Sequence, residues 1–162
     1  MSDMESLAEQ LRAKNVERVK QQQKNTQTVR EWSADLHALL KDIQRWLEPL
    51  RAEGLIQVVE STTDIRESPH PDIDVRYTAP ILGIGLGKNR LRIVPKGRYM
   101  VGSQGVVEVE GVPGYESVVL VRLAADGCSR WELIAKEAGK PQKREGRPFN
   151  EAVLSELLKS AV

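Results

Sequence analysis

The chain has 162 residues, with 24 basic against 23 acidic side chains, two histidines, one cysteine, three Trp, three Tyr and one Phe. That length fits one domain able to bury about 70% of its unfolded surface, and a lone cysteine excludes internal disulfides and a multi-cysteine zinc site. No apolar run reaches the roughly 20 residues of a membrane span and the first 50 residues hold no signal-peptide core, so a cytoplasmic protein without a membrane partner is expected.

The first proline is Pro49 and the first glycine Gly54, so nothing breaks a helix over residues 1–48. Val29, Trp32, Leu36, Leu39, Ile43, Trp46 and Leu50 alternate at spacings of three and four, a heptad stripe that Leu40 and Leu47 widen into a core-packing face. Carried backwards, the register meets Met4, Ala8, Leu11, Asn15, Arg18, Gln22 and Asn25, so the stripe turns polar in its middle. Two capping boxes compete for the start, Ser2 with Glu5 and Thr28 with Glu31. Either one helix runs about 45 residues, ~68 Å long, or two helices break near Asn25-Thr26-Gln27. The favoured arrangement is a firm helix over residues 28–48 preceded by a polar helix. In that polar helix Leu7, Leu11, Val16 and Val19 are too few to hold a core. Such a segment either frays or needs a partner, a second copy in a coiled-coil homodimer or another protein.

After Gly54 the period becomes strand-like. Leu55–Glu60 reads as a first strand and residues 61–74 as an acidic, proline-containing connection. Val75–Ala79, Ile81–Leu86 and Arg90–Val94 read as short strands, with a turn at Gly87-Lys88-Asn89. Further strands are predicted at Arg98–Gly102, Val106–Glu110, Ser117–Leu123 and Arg130–Lys136, with turns at Gly111-Val112-Pro113-Gly114 and Ala125-Asp126-Gly127. Strands joined this closely must pair antiparallel. Asn150 caps a closing helix, with Phe149 and Leu154 as a hydrophobic staple. The predicted class is α+β: a long N-terminal helix or helical hairpin, an antiparallel sheet of about six strands and a short C-terminal helix. Residues 1–50 form an arm and a core-packing helix. Residues 51–162 form the sheet domain, one compact unit with residues 28–50.

Catalytic motifs fail one by one. Gly83-Ile84-Gly85-Leu86-Gly87-Lys88 lacks the earlier Gly and the following Ser or Thr of a phosphate-binding loop, and the third Gly of a dinucleotide fingerprint. With period two, Leu82, Ile84 and Leu86 point one way and Gly83, Gly85 and Gly87 leave the other face bare. The expected use of that strip is close approach by a helix or a Trp, and the alternative is a ligand or partner peptide. His37 reads as a surface residue, and His70 with Asp72 and Asp74 falls short of a zinc site. Cys128 has no base placed beside it, and no Gly-x-Ser-x-Gly elbow exists. Neither an enzyme nor a cofactor is expected. The tryptophans are expected in the core.

Charge is the more informative signal. Residues 51–74 sum to −4, and residues 75–107 carry six basic and no acidic side chains. Lys88, Arg90, Arg92, Lys96 and Arg98 are the candidate partner-binding residues, joined by Lys143 and Arg144 of a second basic cluster that also holds Lys140 and Arg147. They suit an acidic protein surface. Nucleic acid is the alternative, since such groups neutralise phosphates, though only Tyr77 and Tyr99 lie near for stacking. A third outcome is that the acidic segment packs beside the basic strands and cancels them.

The layout of helical arm, compact antiparallel sheet and closing helix resembles small bacterial cytosolic proteins that bind and neutralise a toxin or effector. That resemblance implies a non-enzymatic protein-binding module, an inhibitor or immunity-type protein, and it carries over no individual residue.

Overall fold

The computed structural model describes residues 2–142 and 145–162. It opens with one unbroken helix, α1 (Asp3–Ala52), about 75 Å long at 1.5 Å per residue. Of the two competing caps the first forms: Glu5 N donates to Ser2 Oγ, and Ser2 N donates to the Glu5 carboxylate. Thr28 instead turns its hydroxyl back onto the Lys24 carbonyl, and Glu31 accepts from Gln27. The break weighed near residue 25 is absent because Asn25 has its own work there. It accepts from Gln21 and donates to the Asp72 carbonyl, so the polar middle of the stripe is a contact site. Pro49 is tolerated in the final turns, and the helix stops where Gly54 takes a φ of 70°. There the Leu55 and Gly54 amides return to the Leu50 and Arg51 carbonyls, satisfying orphan acceptors.

Seven strands follow in a meander, each antiparallel to its chain neighbours: β1 (Gln57–His70), β2 (Ile73–Leu86), β3 (Asn89–Gly97), β4 (Val106–Glu110), β5 (Tyr115–Ala125), β6 (Cys128–Glu137) and β7 (Arg147–Pro148). Helix α2 (Glu151–Lys159) closes the chain, with Asn150 Oδ1 accepting from Val153 N. The α+β class and the order of long helix, antiparallel sheet and short helix are as the sequence predicts; the sheet has seven strands against about six expected, and β7 lies where no strand is predicted.

Three segments differ from expectation. The acidic stretch 61–74 is not a connection: β1 runs through it to His70, and β2 starts at Ile73 after a turn at Pro71-Asp72. Thr63, Ile65 and Glu67 alternate inward there, and Pro69 sits near the end of an edge strand, where a missing N–H costs little. The two short strands expected around Pro80 are one strand, because Pro80 opposes Thr62 without breaking the register. What changes across Pro80 is the inward side. Tyr77 and Ala79 belong to the core on one side of it, Leu82 and Ile84 on the other. Arg98–Gly102 is not a strand. The Arg98 and Tyr99 amides donate to the Glu67 carboxylate at 3.0 and 2.8 Å, which removes them from any ladder.

Both helices lie on one face of the sheet. Trp32, Leu36, Leu39, Leu40, Ile43 and Leu47 of α1 meet Leu82, Ile84, Leu91, Ile93, Val107, Leu120 and Leu133, with Val153, Leu154, Leu157 and Leu158 of α2 alongside. Of the tryptophans, Trp32 takes the expected core position, while Trp46 and Trp131 are partly buried and pack against the core. Trp32 is fully buried with its ring 5.9 Å from Trp131, and Trp46 lies 5.7 Å from Phe149. Trp32 Nε1 donates to the Tyr77 hydroxyl, which donates to Glu67 at 2.6 Å. Burial, and then the Glu67 carboxylate, push the Tyr77 phenol up from its ordinary pKa, so it stays neutral. Arg122, 5% exposed, ties α1 to β5 through Asp35, and Ser129 donates to the same Asp35 oxygen at 2.6 Å.

Candidate functional site

The opposite face of the sheet has no helix across it, and its register places the glycines there. Val59 opposes Gly83, which opposes Arg92; Gln57 opposes Gly85, which opposes Arg90. Gly83 and Gly85 therefore floor a trough of about 270 Å³ between β1 and β3, walled by Gln57, Val59 and Ser61 on one side and Arg90 and Arg92 on the other. A Cβ added at Gly83 would meet only Val59, at 3.6 Å or more, and one at Gly85 only Gln57, at 3.5 Å or more. No helix or tryptophan approaches this strip, contrary to the expected use of these glycines. The close approach occurs at Gly105 instead, where a Cβ would run into the Trp32 ring. Gly105 precedes β4 and has a φ of 135°. Val59, 63% exposed, is a large aliphatic side chain left in water at the trough's edge.

The basic residues divide into three groups. Lys88, in the β2–β3 turn after Gly87, and Arg90 are exposed and form no ion pair among the described residues. Arg92 and Lys96 are neutralised by β4: Arg92 pairs with Glu110 at 3.2 Å, and Lys96 with Glu108 at 3.0 Å and Glu110 at 3.7 Å. Arg98 lies away from the trough, its guanidinium 5.5 Å from the Tyr99 ring and its amide on Glu67. Lys143 and Arg144 lie outside the described residues. Arg147, of the same cluster, pairs with Glu156 of α2 at 2.9 Å.

The acidic stretch 51–74 thus cancels little of the basic stretch. Asp74 is held by Arg66 within the β1–β2 hairpin, and that hydrogen bond lowers the Asp74 pKa. Glu67 serves main-chain amides. The neutralising acids are Glu108 and Glu110, spaced two apart on β4 to face the alternate bases of β3, a pairing that the two-residue periodicity of both segments foreshadows.

Histidine and cysteine are peripheral. His37 Nδ1 lies 2.7 Å from the Ser33 carbonyl, His70 accepts from the Asp72 amide, and Cys128 is exposed at the start of β6. Among the described residues no group of three or more His, Cys, Asp or Glu is placed to hold a metal ion, and no helix is long and apolar enough to cross a membrane. The trough presents Val59 between Gln57 and Ser61 on one wall, open backbone on its floor, and on the other wall Arg90, which forms no ion pair among the described residues. Set against protein-family models, curated proteins and solved structures, the chain matches none of them.

Proposed function

We propose that the protein is a non-enzymatic, cytoplasmic binding module that docks another protein on the open face of its sheet, in the manner of an inhibitor or immunity-type protein. The observation that supports this is the glycine floor between Val59 and Arg90. Two adjacent outward positions without side chains, on a sheet face that no helix covers, let a partner's chain approach the backbone closely. An extended segment carrying acidic residues is the matching occupant, since Arg90 on the trough wall and Lys88 in the adjoining β2–β3 turn are exposed and form no ion pair among the described residues. These charges set partner choice and association rate, and Val59 with Ile81 supplies apolar contact. Nucleic acid is less well supported, since Tyr77 packs against the core and Tyr99 carries the Arg98 guanidinium over its ring.

A photo-crosslinking residue in place of Val59, in cells of the native source, tests the reading. The expected result is a discrete protein adduct that Arg90→Glu and Gly83→Val each abolish. An adduct with nucleic acid, an adduct unchanged by both substitutions, or no adduct overturns it.

A further inference from the structure

The N-terminal turns of α1 extend beyond the β1–β2 hairpin tip, which flanks the helix from Lys14 to Asn25. The β1–β2 hairpin tip touches α1 at Asn25, and before that point Met4, Leu7, Leu11, Val16 and Val19 stand about half exposed or more. Residues 3–24 form a rod of about 33 Å at 1.5 Å per residue, its root flanked on one side by Pro71, Asp72 and Asp74 of the hairpin tip. At 100° per residue, Met4, Leu7, Ala8, Leu11 and Val19 fall within a sector of about 120° that also holds Asn15, Arg18 and Gln22. That stripe is too narrow for a core and of the width one helix needs to meet another.

Charge along the rod says which helix. Asp3, Glu5 and Glu9 are the only charged residues before position 12, and all are acidic. Arg12, Lys14, Arg18, Lys20 and Lys24 follow, opposed by Glu17 alone. A rod acidic at its tip and basic at its root is complementary to itself when turned end for end. From this we infer that residues 3–24 are the interface of a homodimer in which two copies of α1 lie antiparallel. A two-fold axis beside Ala13 sets Leu7 opposite Val19 and Leu11 opposite Asn15, and lays each acidic tip along the partner's basic root. Such an interface is isologous, so it closes at two copies. A parallel pair would set acid against acid and base against base, and would bring both hairpin tips to the same level. The inference is independent of the docking trough, which lies on the sheet.

Sedimentation of the full chain over a wide concentration range tests the assembly. The mass should rise from 18.1 kDa towards twice that value. Leu11→Glu should weaken association about tenfold or more, while near-ultraviolet circular dichroism of the buried tryptophans stays unchanged. Orientation is read by disulfide trapping in a Cys128→Ser background. A mixture of Leu7→Cys and Val19→Cys chains should give the mixed disulfide in preference to either homodisulfide. A mass of 18.1 kDa at every concentration, or homodisulfides in preference to the mixed one, overturns the inference.

Discussion

The two faces of the sheet use the same residue for opposite ends. On the covered face, the glycine at 105 exists because the Trp32 ring occupies the space where a side chain would start. On the open face, Gly83 and Gly85 have room for one and hold nothing in it. A missing side chain therefore means contact in one place and vacancy in the other, and only the vacant face is available to a partner.

The strongest way to break the comparison is to add one methyl on the covered side. Gly105→Ala sets a Cβ against the Trp32 ring and strains a backbone with φ of 135°; overpacking and backbone strain together should cost about 4 kcal/mol. Denaturant unfolding measures this, and a loss below 1 kcal/mol would show that Trp32 can move aside. Next comes Asp35→Ala, which leaves the Arg122 guanidinium buried against the Gln104 carbonyl alone. Breaking a buried pair from one side should cost about 3 kcal/mol, with full recovery excluded for Asp35→Asn because the charge is not restored. Gly83→Val sharpens the contrast: it fills the trough yet should change stability by under about 1 kcal/mol in either direction, as for an exposed strand site. Equal losses at positions 83 and 105 would erase the distinction between the faces.

The smallest effect is acid sensitivity. Arg147 holds the Glu156 carboxyl below its ordinary pKa, chiefly by hydrogen bonding, and so fastens β7 to α2. Because the folded-state pKa is the lower one, the contribution is present in full above the ordinary carboxylate pKa and is lost as pH falls through the folded value. Both groups are exposed, so screening keeps it small. Thermal melts of Arg147→Gln and the unaltered protein should differ slightly near neutral pH and converge in acid; a difference that widens in acid would reverse the assignment.

How much of this was legible beforehand depended on whether a signal was local. The Asn150 cap, the Asp126-Gly127 turn with both residues at positive φ, and the tryptophan stripe are decided within a few residues, and each reads directly. The long β1–β2 hairpin does not, because Pro69, Pro71 and Pro80 argue against strands unless one knows that β1 is an edge and that Pro80 opposes Thr62. The amides of Arg98 and Tyr99 leave the sheet for Glu67, some 30 residues away, and nothing local announces that. At the candidate site, periodicity sorts Gly83 and Gly85 from Leu82 and Ile84 correctly. What covers each face depends on where α1 lands, which periodicity does not contain.

The meander order has a consequence for how the molecule assembles. Every strand pairs with its neighbour in the chain, so most of the sheet can zip hairpin by hairpin with little loop to close. The clamp of α1 onto that sheet is the opposite case: Asp35 meets Arg122 across 87 positions and Ser129 across 94. The core under α1 is thus complete only when the far end of the chain exists: a nascent chain halted before β5 would lack Leu120 and Leu133 from that core and would leave Asp35 without Arg122.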